Sequence, residues 1–186
     1  MSQQNLLFPA RVLRGAGVIN QLGAICAGLG QRALLVGGQR AIQAVATQVK
    51  TQLDAAGVTL LAPVWFGGET SLNHIERLAA LAIEQQAEVL IGAGGGKALD
   101  TVKAVGAQLG LPVITVPTIA ATCAAVTPLT IRYDDNGNFF DIFPLPQAPA
   151  AVLIDSELLA AAPARWLAAG LGDTLAKWYE FRAVST

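Results

Sequence analysis

A glycine-rich segment is the part of this 186-residue sequence whose residue types point most directly to chemistry. Residues 92–100 read Gly-Ala-Gly-Gly-Gly-Lys-Ala-Leu-Asp and follow an apolar run typical of a buried strand. Glycines let the backbone approach a ligand closely, and the start of a following helix offers N–H groups and a favourable dipole to phosphate. The segment therefore predicts a phosphate cradle. The alternative is a tight strand-to-helix turn that binds nothing.

The segment matches neither of the two common nucleotide-binding motifs. A P-loop would need glycine where the chain has Ile91, and serine or threonine where it has Ala98. The dinucleotide motif G-x-G-x-x-G also fails, because its sixth position is Lys97. The prediction of a cradle thus depends on the position of the glycines between a strand and a helix.

Predicted strands and helices alternate around this segment. Strands are predicted at residues 33–36, 58–66, 88–92 and 113–116, and helices at residues 41–56, 71–87 and 97–109. Ser71 is typical of a helix N-cap. Because the strands are apolar on both faces, the pattern indicates a Rossmann-like α/β fold, with a mainly parallel sheet between two helical layers.

The pattern changes after residue 128. A turn signal at residues 134–138 lies between two strand-like runs and predicts a β-hairpin on the mainly parallel sheet. Residues 151–154 predict one more strand, and the chain becomes Ala/Leu-rich and helical from Ser156. We therefore expect an α/β domain over residues 1–155, with residues 156–186 as the beginning of a helical domain whose remainder is absent.

Composition and charge exclude several classes of function. Hydrophobic residues make up 53% and charged residues 13%, which argues against disorder and suggests apolar surface that faces another domain or a second copy of the chain. We expect a homo-oligomer. The net charge of −1 provides no electrostatic footprint for nucleic acid.

The sequence also bears on membrane association and compartment. Residues 109–129 carry no charge, but their prolines and β-branched residues favour buried sheet plus a binding loop over a membrane span. The N-terminus does not have the pattern of a signal peptide. Cys26 and Cys123 are too few for a disulfide framework, so we predict a cytoplasmic protein without a membrane partner.

Three motifs together resemble one known family. The first is the run from Gly94 to Lys97 followed by Asp100, Thr101 and Lys103; the second is Pro-Thr-Ile-Ala-Ala-Thr at residues 117–122; the third is Gly-Leu-Gly-Asp at residues 170–173. Their order and spacing resemble the glycerol dehydrogenase group of the iron-type alcohol dehydrogenase and dehydroquinate synthase-like superfamily. The resemblance extends from about Arg11 to Arg182.

This resemblance implies an NAD(P)-dependent, metal-assisted oxidoreductase that acts on a small polyol, alcohol or 2-hydroxy/2-oxo acid. The chain would be its cofactor-binding half, with a dinucleotide-binding domain followed by the start of a metal-binding domain. Residues matching the family's cofactor positions are Gly38, Gly95, Gly96, Lys97, Ala98, Leu99, Asp100, Thr118, Ala121, Thr127, Leu129 and Tyr133. Among them, Ala121 and Thr127 stand where glycerol dehydrogenases tend to carry serine.

The chain departs from the family pattern after the first predicted strand. Glycerol dehydrogenases usually have an aspartate there that holds the adenine ribose, whereas this chain has Gly38 and nearby Arg40. Loss of a carboxylate and gain of a cation would accommodate a 2′-phosphate, so we hypothesise that NADP is accepted. Alternatively, Arg40 is a solvated residue of the first helical turn.

A second departure concerns the substrate. Cys123 occupies the place of an aspartate that lies near the substrate hydroxyls in glycerol dehydrogenases. A thiol cannot accept two strong hydrogen bonds from a diol, and removing the carboxylate removes repulsion of an anionic substrate. This favours a hydroxy acid or its 2-oxo acid over glycerol. Cys123 could equally be a small buried filler.

The resemblance implies a metal ligand at Asp173, with zinc or iron as the divalent metal. Family members add two histidines from the later helical domain, but this sequence has a single histidine, His74, predicted at the surface of a helix. Further metal ligands would therefore lie outside this chain. Without the resemblance, Asp173 would be interpreted as a helix cap.

Three alternatives to a dehydrogenase half stay open from the sequence. One is a sugar-phosphate enzyme of the same superfamily, disfavoured because residues 118–131 contain no basic side chain before Arg132. Another is a catalytically incomplete module that binds a dinucleotide without turnover. A third is a subunit whose missing ligands come from a partner.

Overall fold

The computed structural model describes residues 7–184. Within them the chain forms nine strands and six α-helices. The strands are β1 (Val12–Gly15), β2 (Arg32–Gly37), β3 (Thr59–Leu60), β4 (Val64–Trp65), β5 (Val89–Gly94), β6 (Val113–Pro117), β7 (Leu129–Tyr133), β8 (Phe139–Pro144) and β9 (Ala151–Asp155). The helices are α1 (Leu22–Ala27), α2 (Gln39–Ala55), α3 (Leu72–Glu84), α4 (Gly96–Leu109), α5 (Ser156–Ala160) and α6 (Ala164–Val184). A 3₁₀ turn, Val18–Gln21, precedes α1.

Seven of these strands form one parallel sheet in the order β1-β9-β6-β5-β2-β3, with β4 also paired to β2. Successive side chains of a strand point to opposite faces, so each face has its own core. On one face Leu35 and Ile91 pack with α1 and α2. On the other face Leu34 and Leu90 pack with α3 and α4. The prediction of an α/β fold with helices on both faces is confirmed.

One buried carboxylate at the carboxyl edge of the sheet connects the first segment of the chain to the last strand. Asp155, 1% exposed at the end of β9, accepts hydrogen bonds from the N–H groups of Gly17 at 3.2 Å and Ile19 at 3.1 Å. It also caps α5 by accepting from the N–H of Glu157 at 2.9 Å. One side chain thereby joins the first segment of the chain to the last strand.

Three sequence predictions differ from the structure. The strand predicted at residues 58–66 is two short strands, because Pro63 between them has no N–H for the sheet. The hairpin β7–β8 forms a separate two-stranded sheet with an isolated bridge from Tyr133 to Ser71, and does not extend the parallel sheet. Strand β1 and helix α1 were not predicted at all.

Other boundaries agree to within a few residues. Ser71 is the N-cap of α3, and its hydroxyl accepts from the N–H of His74 at 3.4 Å, as predicted. The chain becomes helical at Ser156, but α6 buries none of its residues among those described. Among residues 7–184, no helix is long and apolar enough to cross a membrane.

Candidate functional site

A cleft of about 1040 Å³ opens where the carboxyl ends of β2, β5 and β6 meet. After β2 the chain forms β3 on one side of β2 and then β5 on the other side. The strand order therefore reverses at this point. In parallel α/β sheets such a reversal opens a crevice that commonly holds the ligand. The volume lies at the upper end of the roughly 300–1,000 Å³ typical of ligand clefts.

The cleft brings together nearly all of the site residues that the sequence suggested. Its lining includes Gly38, Gly95, Gly96, Lys97, Ala98, Asp100, Thr118, Ala121, Cys123, Thr127, Leu129, Tyr133 and Asp173. Leu99 is the exception, because it lies on the face of α4 that packs against Ala125 and Val152 in the core. The side chain of Leu99 therefore does not contact a ligand in the cleft.

The glycine-rich segment forms the base of the cleft. Gly94 ends β5 with a φ of +150°, and a Cβ there would lie 2.8 Å from Cβ of Ala98. Gly95 is the N-cap of α4, and because glycine has no side chain, none caps the first turn. The first N–H groups of a helix have no acceptor within it, so they are available to an anion here. This geometry suits a phosphate.

A buried ion pair on α4 organises the loop beyond β6. Lys103 is 2% exposed, and its Nζ lies 2.9 Å from Oδ1 of Asp100. The ammonium group also donates to the carbonyl oxygens of Ala124 at 2.8 Å, Thr127 at 3.0 Å and Leu129 at 2.6 Å. Residues 118–128 have no regular structure of their own, so Lys103 holds this wall of the cleft in place.

Burial shifts both partners of this pair in the direction that favours their neutral forms. It raises the pKa of Asp100, against the opposing effect of the Lys103 charge, and lowers the pKa of Lys103 against that of Asp100. Oδ2 of Asp100 accepts from the N–H of Ile131 at 3.1 Å. Asp100 therefore already binds α4 to β7 within the protein, although the family resemblance assigns it to the cofactor.

The far end of the cleft, beyond β2, carries the residues predicted to face the adenosine. Gly38 and Arg40 line it at the start of α2, together with Trp65 and Phe66 at the end of β4. The N–H of Gly38 donates to the carbonyl of Ala93 at 3.3 Å, which fixes this turn to β5. Among these described residues none is acidic, and Arg40 is exposed. The charge balance suits a phosphate group.

The opposite end of the cleft carries the residues assigned to substrate and metal. Exposed Cys123 and half-buried Asp173 both line it, and Arg165 and Lys177 of α6 also line the cleft. Lys177 lies 3.5 Å from Oδ1 of Asp173, so the carboxylate already has a cationic partner. Arg165 and Lys177 were not identified from the sequence.

These residues do not by themselves form a metal site. Within the described part of the chain, no three His, Cys, Asp or Glu side chains come close enough to share an ion. A stable site for zinc or iron needs three or four ligands, and Asp173 supplies one. His74 does not line the cleft; it is half-buried, not at the surface as predicted, with Nδ1 2.9 Å from the carbonyl of Glu69.

Comparison with known proteins decides the family. The model of the iron-containing alcohol dehydrogenase family matches residues 9–156 of the chain. The chain belongs to this family. Its α/β domain therefore corresponds to the N-terminal part of an iron-containing alcohol dehydrogenase.

Two named relatives and one solved structure show which proteins of the family the chain is similar to. A glycerol dehydrogenase of Escherichia coli O6:H1 is 44% identical over 95% of this chain and 48% of its own length. Hydroxycarboxylate dehydrogenase A of Escherichia coli K12 is 44% identical over 80% of this chain and 40% of its own length. The crystal structure of a probable glycerol dehydrogenase from Sinorhizobium meliloti 1021 superposes with a TM-score of 0.86 at 36% identity, covering 95% of this chain and 48% of that one. The chain spans about half the length of these members of the iron-containing alcohol dehydrogenase family.

Besides Arg165 and Lys177, two further residues of the site were missed by sequence reasoning. Lys103 was noted only as part of a motif, and Glu69, whose Oε2 lies 2.5 Å from Nζ of Lys97, was not considered. A carboxylate shortly after the end of a strand was the only local signal for Glu69. For Lys103 the signal was its place three residues after Asp100 on a helix, where opposite charges can pair.

The two cysteines of this family member are expected to react at very different rates. Cys123 is exposed in the cleft, whereas Cys26 is fully buried, and burial raises the pKa of its thiol from 9.0 to about 11. At about pH 8 a disulfide reagent should therefore modify one thiol per folded chain quickly, and the second only after denaturation. A Cys123→Ser variant should lose the fast phase. Two fast thiols would show that the packing around Cys26 is loose.

Proposed function

We propose that this chain is the cofactor-binding half of an NAD(P)-dependent oxidoreductase. The observation that carries the proposal is the cleft at the carboxyl ends of β2, β5 and β6, with the free N–H groups of α4 at its base. A cleft of this volume, lined by both the phosphate cradle and Arg40, fits a dinucleotide. When bound, the nicotinamide would accept or donate a hydride.

Residues around Cys123 in the cleft bear on the class of substrate. We propose a small polyol, alcohol or 2-hydroxy/2-oxo acid, in line with relatives named glycerol dehydrogenase and hydroxycarboxylate dehydrogenase A. The acid is favoured because Arg165 lines the cleft and Cys123 stands where glycerol dehydrogenases carry a carboxylate. The Arg165 cation and the absence of a carboxylate at residue 123 would attract an anionic substrate, whereas Lys177 is already paired with Asp173 and Glu180.

Turnover would need groups beyond those described. Within the described residues Asp173 has no second or third ligand beside it, so it does not by itself form a metal site. This observation favours a second candidate for residues 1–186 taken alone, a module that binds the dinucleotide without turnover.

Two free cysteines support a cytoplasmic location, and the exposed apolar side chains of α6 support an interface with another domain or a second copy.

Cofactor titration tests the proposal. Trp65 and Trp166 line the cleft, so binding of NADPH or NADH should quench tryptophan emission and transfer energy to the reduced nicotinamide. We expect saturable binding of both, with NADPH the tighter. Replacing Arg40 with alanine should weaken NADPH about tenfold by removing a charge-assisted phosphate contact, and should leave NADH unchanged.

The matched control removes a positive charge elsewhere. Arg11 is exposed beside β1, at the opposite edge of the sheet, so Arg11→Ala should bind both cofactors as the wild type does. A strong preference of the wild-type chain for NADH would reject the role of Arg40. If neither cofactor binds, the dinucleotide proposal itself is wrong.

A further inference from the structure

The cation of the phosphate cradle is already occupied by an anion of the protein. Nζ of Lys97 lies 2.5 Å from Oε2 of Glu69 and 5.0 Å from the centre of the Tyr133 ring. Both contacts draw the ammonium group to one side of the cleft, towards the loop between β4 and α3. The charge expected to balance a pyrophosphate is therefore paired before any ligand arrives.

Of the two partners in this pair, Glu69 is the fixed one. Its side chain is 15% exposed, and Oε1 accepts from the N–H of Thr70 at 3.1 Å. Thr70 is fully buried; its hydroxyl donates to the carbonyl of Lys97 at 2.9 Å, and its carbonyl accepts from the N–H of Tyr133 at 2.9 Å. The Glu69 loop is thus held between the first turn of α4 and strand β7.

The lysine side chain, in contrast, is free to change partners. It is 52% exposed, and a long side chain with three donors can rotate from a carboxylate to a phosphate. A pyrophosphate in the cradle must therefore compete with Glu69 for the ammonium group. It must also approach a fixed carboxylate of its own charge once the lysine has moved.

We propose that Glu69 limits the affinity of this site for dinucleotides by holding Lys97 away from the pyrophosphate. This inference rests on the proposed function and assigns an affinity-determining role to a residue outside the cradle itself. Weaker binding shortens the lifetime of the complex, and release of a bound product limits turnover in many enzymes. The opposite role would be a positioning one, in which Glu69 orients Lys97 for the phosphate and its loss weakens binding.

A double-mutant cycle separates the two roles. NADPH and NADH are titrated against the wild-type chain, Glu69→Gln, Lys97→Met and the double variant. We expect Glu69→Gln to lower Kd about 3–10-fold, because the cation becomes available to the ligand. Lys97→Met should raise Kd less than about threefold when Glu69 is present, but about tenfold or more in the Glu69→Gln background.

Controls address total charge and folding. Glu76 is exposed on α3, so Glu76→Gln changes net charge equally and should leave Kd unchanged. Glu69→Asp, whose shorter side chain draws the carboxylate away from Nζ, should give a smaller gain in affinity than Glu69→Gln. Urea denaturation of each variant establishes that it is folded before titration.

The outcomes distinguish this inference from the proposed function. Weaker or unchanged binding by Glu69→Gln would overturn the inference alone, as would an equal effect of Lys97→Met in both backgrounds. The second result would mean that Glu69 acts only through its electric field and not by holding the lysine. Absence of binding by all four proteins would overturn both the inference and the dinucleotide-binding function.

Discussion

Replacing Lys103 with methionine is expected to lower the free energy of unfolding by about 3–5 kcal/mol, the usual cost of removing one partner of a buried ion pair. Methionine fills much of the lysine's volume but leaves the carboxylate of Asp100 buried without its cation. The carbonyl oxygens of Ala124 and Leu129 lose their donor as well. Because a domain of this size is stable by about 5–15 kcal/mol, urea denaturation should detect the loss easily.

A second substitution separates the ion pair from the volume change. In Lys103→Met with Asp100→Asn, neither residue of the pair carries a charge, and the new amide oxygen can still accept from the N–H of Ile131. The double variant should be more stable than Lys103→Met alone. If the two substitutions simply add their losses, the pair contributes no coupling and the explanation is wrong.

The pH dependence of Lys103→Met follows from the shift of Asp100. Burial raises the pKa of this carboxyl above its ordinary value of 3.8, and the variant removes the ammonium that opposes the rise. A carboxyl whose pKa is higher in the folded state contributes stability at low pH and loses it as pH rises through that folded value. The variant should therefore be less destabilised at about pH 5 than at about pH 8.

Replacing Gly170 with alanine is expected to detach α6 from the cleft. An ideal Cβ at Gly170 would lie 1.9 Å from the carbonyl oxygen of Ala120 and 3.0 Å from its carbon. Both are backbone atoms, so the helix or the loop must move. Because α6 buries no residue among those described, little else holds it. Amide hydrogens of α6 should exchange about tenfold faster or more, since overpacking costs about 1–3 kcal/mol.

Gly172 supplies the matched control two residues away. No atom lies within 4 Å of an ideal Cβ there, so Gly172→Ala should only gain helix propensity, about 0.5–1 kcal/mol. Both variants gain that propensity, and their difference therefore isolates the contact with Ala120. Equal protection of α6 in the two variants would show that the helix does not lie on this loop.

The interior of the sheet was predictable from the sequence because burial alone decides its pattern. Every residue of β5 and β6 is buried, which gives the continuous apolar runs that the prediction used. Strand β1 is only four residues long and alternates between exposed and half-buried positions, with Arg14 in its middle. Helix α1 has six residues, too few to display a helical period. Both depend on contacts with β9 and α2 that no local pattern encodes.

The candidate site was predictable where a residue type is itself the signal. Glycines at the end of β5 indicated the cradle, and the structure places them at the base of the cleft. Lys103 and Glu69 were not found, because a charged residue in a helix or loop is normally interpreted as facing water. The carbonyl partners of Lys103 and the ammonium partner of Glu69 lie 21 to 28 residues away along the chain and approach only after folding.

Helix α4 also sets a distance within the site. Its N-terminus carries the cradle at Gly96, and seven residues later Lys103 holds the loop of residues 118–128. Seven residues are about two helical turns, so the two groups share one face and stand about 10 Å apart along the axis. An inserted residue would turn Lys103 about 100° away from the loop. The spacing between Gly96 and Lys103 therefore fixes how far the cradle stands from the point at which Lys103 holds the loop.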